Sequence, residues 1–308
     1  MKRYLFTIED ESAGERVDRL LPSLLEGVSR NYLQQVIKDG GLTVNGKTAK
    51  PSLKVKDGDS LELELPDAES PDILPEDIPL DILYEDSDVI VINKPKGMVV
   101  HPAAGHYSGT MVNALMYHCG DSLSGINGCM RPGIVHRIDK DTTGSVIACK
   151  NDNAHMKLSE QFKEHSIKRS YRAIVLGVLK DDEGTIDAPI DRLPNDRKKM
   201  GIVPGGRRAV THYKVLERFK DYTYVECRLE TGRTHQIRVH MTHIGHPLLG
   251  DLVYGKETSS LNKRFNLDGQ TLHAMELGFI HPASGELVDV IAPLPAYFEH
   301  LLEVLRNS

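Results

Sequence analysis

No stretch of this 308-residue chain approaches the length of a membrane span, and its first residues, MKRYLFTIEDESAG, lack the apolar run and small-residue cleavage site of a secretory leader. The expected location is the cytoplasm, with no membrane partner. The four cysteines, Cys119, Cys129, Cys149 and Cys227, lack the short spacings of a zinc knuckle or a redox pair, which leaves reduced core thiols as the reading. No internal repeat or low-complexity tract is visible. Positive charge is not in excess either: the formal net charge is −6, which argues against binding a polyanion with the whole surface.

What is present is the composition of a globular protein, 40% hydrophobic and 27% charged, enough for one large domain and a small one. The charge is unevenly placed. Residues 29–56 carry six basic residues (Arg30, Lys38, Lys47, Lys50, Lys54, Lys56) against the single acid Asp39, whereas residues 57–93 carry thirteen acids and no Lys or Arg. A basic module beside an acidic connector can grip phosphates locally while the molecule stays anionic.

The connector itself, residues 66–80, includes four prolines between Pro66 and Pro79 and has no amphipathic period, so it divides an N-terminal unit (1–65) from a larger one (81–308). In the first unit Ser29 caps a predicted helix with Leu33, Val36 and Ile37 on one face and Arg30, Gln34 and Lys38 on the other. Gly40 and Gly41 end it. Asn45-Gly46 then marks a hairpin turn, and Val55 to Leu65 alternates as a strand. In the larger unit, strands are expected at 88–93, 145–149, 171–179, 222–229 and 287–291, and helices at 110–118, 153–165, 233–244 and 296–306. Strands outnumber helices without alternating regularly, which predicts an α+β fold on a largely antiparallel mixed sheet with flanking helices.

Three segments could carry chemistry. Asp139, between Arg137 and Lys140 in a predicted loop joining strands, is either an ionised nucleophile or, like Asp141, a turn-closing carboxylate. Arg233 lies in the segment Leu229 to His246 and is a candidate partner for a carboxylate, or a surface residue contacting phosphate. The four histidines between His235 and His246 lack the spacing and the glutamate of a zinc-protease helix, so no metal is expected. Tyr171, in a basic cluster at the head of a predicted strand, can stack on a base or pack in a sheet. Residues 192–208, with Arg197, Lys198, Lys199, Arg207 and Arg208 among glycine and proline, suit a loop that holds a phosphate backbone.

Taken in order, Val91 to Pro102, His136 to Gly144, Thr231 to His240, and Leu272-His-Ala with Phe279 to Pro282 resemble the pseudouridine synthases of the bacterial large-ribosomal-subunit type. Residues 14–64 resemble the RNA-binding domain shared with a small-subunit ribosomal protein, and Ile138, Thr143 and Ser145 depart mildly from the family's usual residues. The resemblance implies an RNA isomerase that needs no cofactor and acts on uridines of large-subunit (23S) ribosomal RNA; a monomer is expected. By position, Asp139 would be its nucleophile, Arg233 the arginine paired with it, Tyr171 the tyrosine on the target base, and Arg137 the residue that fills the space of the extruded base. Arg30, Lys38, Lys47, Lys198 and Arg208 would touch RNA. The rival readings are a non-catalytic ribosome-assembly factor and a metal-dependent hydrolase built on the histidines.

Overall fold

The computed structural model describes residues 2–25, 28, 30–65, 73–102, 106–126, 131–255 and 258–308, with the side chains of 31, 121, 197, 198 and 258–260 set aside. The chain divides into two compact units, 1–72 and 73–308. The first contains β1 (Lys2–Thr7), α1 (Val17–Leu24), α2 (Arg30–Lys38), β2 (Leu42–Val44), β3 (Lys47–Thr48) and β4 (Ser60–Leu65), its sheet ordered β1-β4-β2-β3. Alternation along β4 buries Leu61, Leu63 and Leu65, which meet Leu33, Val36 and Ile37 of α2 in one core. Asn45 and Gly46 take φ of 51° and 73°, the left-handed pair that a two-residue hairpin requires.

Two expectations change here. The strand predicted from Val55 begins only at Ser60, because residues 56–59 form a turn in which the Lys56 amide donates to Asp59 Oδ2 at 2.8 Å and Gly58 sits at φ 79°. The helix cap assigned to Ser29 lies outside the described residues, as do the first seven residues of the connector. The rest of the connector belongs to the second unit: Ile73 is buried in its core, and the Leu74 carbonyl accepts from Asn113 Nδ2 at 2.8 Å.

The second unit runs β5 (Ile82–Glu85), β6 (Val89–Lys94), α3 (Met111–Cys119), β7 (Thr143–Cys149), α4 (Asp152–Lys163), β8 (Lys168–Leu176), β9 (Glu183–Asp187), β10 (Ile190–Leu193), β11 (Asp196–Ile202), β12 (Val210–Arg218), β13 (Tyr222–Leu229), α5 (Gln236–His243), α6 (Thr258–Phe265), β14 (Leu272–Ile280), β15 (Leu287–Ile291) and α7 (Ala296–Arg306). A nine-stranded sheet follows the order β5-β6-β7-β14-β8-β13-β12-β9, with β15 on β14 and β10-β11 as a separate ribbon. Among the described residues its one parallel pairing is β7 with β14. The fold is α+β on a largely antiparallel mixed sheet, as the pattern of elements predicts.

Both faces of the central strands are covered, which is why β6 and β7 read as continuous apolar runs. On one face Ile90, Ile92, Val146 and Ala173 pack against Met111, Val112 and Leu115 of α3 and Ile237 and Met241 of α5. On the other, Val89, Val91 and Ile147 meet Ala154 and Leu158 of α4, while Ile174 and Tyr222 meet Phe298 and Leu302 of α7. Thr110 opens α3 with a reciprocal capping box to Asn113.

Candidate active site

The segment that carries Asp139 follows α3 and leads into β7, so it joins a helix to a strand rather than two strands; the apolar residues upstream repeat at helical spacing. Several contacts hold it in place. The Ile147 amide donates to His136 Nε2 at 3.0 Å, which requires that nitrogen to be unprotonated. Desolvation accordingly holds His136 down at about 3. Downstream, the Lys140 carbonyl accepts from Lys94 Nζ at 2.9 Å and from the Gly97 amide at 3.0 Å. Lys94 is wholly buried, and its ammonium also donates to the Pro95 and Met98 carbonyls, so a loop and a strand end are tied at one point. Burial pushes this lysine down to about 7, against the pull of Asp141 and Asp139.

Gly144 then enters β7 at φ 103°, where a Cβ would stand 2.2 Å from the Ala274 carbonyl oxygen of β14. The close approach of the two parallel strands therefore requires glycine.

Asp139 opens onto a cleft of about 400 Å³ that it lines with Arg137, Lys140, Asp141, His101 and Gln270. A smaller recess of about 60 Å³ is lined by Asp139, Arg137, Tyr171, Arg233 and Leu272. The structure thus gathers Asp139, Tyr171, Arg233 and Arg137 around one recess. It does not pair Asp139 with Arg233. The carboxylate Oδ2 accepts from Arg238 Nη1 at 2.8 Å, and Arg238 is locked from behind by Asp251, through Nε to Oδ2 at 2.7 Å and Nη2 to Oδ1 at 3.0 Å.

The reason lies in the start of α5. His235 takes the left-handed conformation (φ 57°), and Gln236 turns its side chain back to accept from the Arg233 amide and the Thr231 hydroxyl. Arg233 therefore precedes the helix, and its Nε donates to the Arg208 carbonyl at 2.9 Å. Arg238, in the first turn of the helix, is the arginine that points at Asp139.

Electrostatics agree with this geometry. Burial works against the Arg238 charge, but the hydrogen bonds and charges of Asp251 and Asp139 outweigh it and raise the guanidinium above its ordinary value. Burial likewise works against the Asp251 carboxylate, yet Arg238 and the amides of Val253 and Tyr254 hold it below the usual range. His235 Nε2 stands 3.8 Å from Asp139 Oδ1, and its Nδ1 meets the Tyr254 hydroxyl at 2.8 Å. Burial lowers His235, leaving it neutral near pH 7. Tyr171 is 8% exposed, and burial, with a smaller push from Asp139, raises its phenol, so it faces the recess as a neutral hydroxyl.

The remaining candidates are dispersed. Arg208 is exposed and paired with Glu230 at 2.9 Å. The Lys198 side chain lies outside the described residues. In the first unit Arg30 is tied to the buried Asp18 at 2.7 Å, and Lys38 and Lys47 are exposed. The histidines after His235 are engaged separately: His240 with Thr211 and the Ala188 carbonyl, His246 with the Leu176 carbonyl. The sequence reading passed over Arg238 as a partner and omitted Asp251 altogether. Its visible signal was an aspartate in Leu248-Leu-Gly-Asp-Leu-Val253, an apolar context in which a carboxylate needs a cation.

Comparison with known proteins gives the family. Residues 88–243 match the RNA pseudouridylate synthase family and residues 15–61 match the S4 domain. An uncharacterized RNA pseudouridine synthase of Bacillus subtilis is 52% identical over 308 residues, covering 100% of both chains. A ribosomal large subunit pseudouridine synthase D of Zymomonas mobilis is 48% identical, over 98% of this chain and 97% of its own. Among solved structures, human RNA pseudouridylate synthase domain containing 1 superposes with a TM-score of 0.58 at 25% identity, over 75% of this chain and 96% of that one. The chain belongs to the RNA pseudouridine synthase family and is an RNA isomerase with an N-terminal S4 domain.

Proposed function

We propose that this synthase converts uridines of large-subunit ribosomal RNA, in the cytoplasm, with Asp139 as its nucleophile. One observation carries the assignment of Asp139: it is a partly exposed carboxylate at the junction of a cleft and a recess, aimed by a buried arginine that is itself fixed by a second carboxylate. An oxygen held this way keeps its direction without solvent reorganisation, which is what a nucleophile at a nucleoside needs.

The uridine must leave its stack to reach the recess, at a cost of a few kcal/mol that is lowest in loops. Once there, attack by the Asp139 carboxylate accompanies cleavage of the bond from N1 to the ribose C1′. The uracil turns, C5 bonds to C1′, Asp139 is released, C5 loses its proton and N1 gains one. Nothing is oxidised or reduced, so no cofactor enters the balance. Tyr171, a neutral phenol, is placed to cover the base face during the turn, and Arg137 to enter the space that the base vacates. Arg238 is the partner of the carboxylate in this scheme, in place of Arg233. The choice of RNA rests on the S4 domain and on the large-subunit name of the Zymomonas mobilis relative. The exposed Arg208 and the exposed cations of α2 and β3 supply phosphate contacts.

The test is tritium release from RNA labelled at uridine C5, together with pseudouridine mapping in a strain lacking the gene. Wild-type protein should release tritium from large-subunit RNA, and the deletion should remove pseudouridine from that RNA. Asp139→Ala should release none while still retaining RNA on a filter. Turnover by folded Asp139→Ala sinks the nucleophile; an unchanged modification map of large-subunit RNA sinks the substrate.

A further inference from the structure

Arg169, two residues before Tyr171 on β8, is 8% exposed, and its Nε and Nη2 meet no hydrogen-bond acceptor. Among the described residues it is the only buried arginine or lysine in that condition. The contrast with its neighbours is chemical. Buried Arg238 has two carboxylates and buried Lys94 has three carbonyls, whereas the Arg169 guanidinium has the Phe162 ring at 5.7 Å and the backbone of Gly232. A Cβ at Gly232 would stand 2.6 Å from Arg169 Nη1, so the glycine of Thr231-Gly-Arg233 makes the space in which the guanidinium sits. A cation withdrawn from water without an acceptor is costly, and an anionic ligand removes that cost.

A place for such a ligand lies against it. Arg169 lines a cleft of about 480 Å³ together with His165, Lys168, Arg208 and Arg228, and with Glu164 and Glu230. The other strong cations there already have acids: Arg208 holds Glu230 at 2.9 Å, Arg228 holds Glu226 at 2.6 Å and Lys168 holds Glu276 at 3.3 Å. Arg169 holds none.

This cleft adjoins the recess beside Asp139. Leu229 lines both, Arg233 reaches from the recess to the Arg208 carbonyl, and Tyr171 projects from the same side of β8 as Arg169, about 7 Å along the strand.

We infer that Arg169 is the anchor of a phosphate-binding subsite, and that it takes a backbone phosphodiester of the RNA next to the nucleotide held over Asp139. This rests on the reading of Asp139 as the centre that receives the uridine. A fork of guanidinium donors fixes a phosphate in direction as well as distance, so the subsite would set the register of the strand while Tyr171 covers the base.

The experiment is a double cycle on a short large-subunit RNA hairpin that the wild-type protein isomerises. Each phosphate near the target is replaced singly by a neutral methylphosphonate, and KM, kcat and the salt dependence of binding are measured for wild type, Arg169→Gln and Arg169→Lys. The expected result is one phosphate whose neutralisation raises KM, leaves kcat and lowers the salt slope by about one. Arg169→Gln should reproduce that loss and be insensitive to that methylphosphonate alone, and Arg169→Lys should recover part of the slope.

A scan in which no flanking phosphate changes the wild-type slope overturns the inference, and needs no variant to fold. So does a cycle in which Arg169→Gln and every methylphosphonate act additively. Both outcomes leave the isomerase standing, because the unmodified hairpin is still converted; a hairpin that wild type never converts refutes the reading of Asp139 instead.

Discussion

Replacing Asp251 by alanine should unfold the second unit far more readily than replacing Asp139, although both carboxylates bond the same arginine. Asp251 is fully buried and Arg238 is 5% exposed; the pair shares bonds of 2.7 and 3.0 Å, and Asp251 Oδ1 also accepts from the Val253 and Tyr254 amides. Its removal leaves a buried guanidinium with two donors unmatched, a loss of about 3–5 kcal/mol. For a unit of this size that corresponds to a melting temperature lower by roughly 6–20 °C. Asp139 is 18% exposed and accepts one Arg238 bond, and its loss leaves the Asp251 pair whole, so Asp139→Ala should cost about 1–2 kcal/mol. Urea melts followed by circular dichroism would measure both, with similar m values if the unfolded states match. Turnover supplies the second readout. Asp251→Ala frees Arg238 and so should lower kcat at temperatures where the protein is folded, with little change in KM. Equal melting of the two variants, or wild-type kcat in folded Asp251→Ala, refutes the claim that Asp251 fixes the arginine that aims Asp139.

Acid should weaken the fold through its histidines. Desolvation holds His136 at about 3 and His101 at about 4, against 6.5 when unfolded, so between those values only the unfolded chain takes up the protons and stability falls as pH drops from 6.5 toward 4. Urea midpoints across that range test this, and a flat profile contradicts it. Gly144→Ala combines a left-handed backbone with a Cβ 2.2 Å from the Ala274 oxygen, so it should cost about 2 kcal/mol or more; a melt within 1 °C of wild type would show that β7 and β14 can separate freely. Lys94→Met buries no ammonium for the Pro95, Met98 and Lys140 carbonyls to accept from and should cost about 3 kcal/mol, with kcat falling because the Lys140 carbonyl loses one of its two anchors. Full activity in that variant would detach the loop's position from the lysine.

Elements whose packing is local were legible in the sequence. The strand Tyr222–Leu229 and the strand Leu287–Ile291 stand at their predicted bounds, and the helix expected at 110–118 is present as Met111–Cys119. The elements missed depend on partners far along the chain. Lys2–Thr7 is a half-exposed edge strand whose register is set by Ser60–Leu65. Leu272–Ile280 lies between β7 and β8, and its parallel pairing joins His273 to Thr143. Such pairings leave no periodic mark, because a strand covered on both faces shows only an apolar run that a helix segment could equally show. Residues 183–218 form four strands rich in charge, and there the solvent-facing alternation is too weak to separate strand from loop.

The sequence names four residues that the structure gathers around one recess, but not the arginine that bonds Asp139, and the difference between Arg233 and Arg238 shows why. Both arginines stand in one segment, and both come within reach of the recess around Asp139. What separates them is the residue at which α5 begins. Had the helix started at Thr234, Arg233 would have been its cap and free to turn toward the carboxylate. With His235 left-handed and Gln236 folded back onto the Arg233 amide, Arg233 is directed toward Arg208 instead. Burial contained the answer. Ile237 and Met241 face the core at helical spacing, so Arg238 between them enters a region where a guanidinium must find carboxylates, and Asp251 and Asp139 are the acids that it meets. A cation on the covered side of a helix is thus the stronger candidate for a buried carboxylate's partner than one at the helix entrance, whatever their order in the chain.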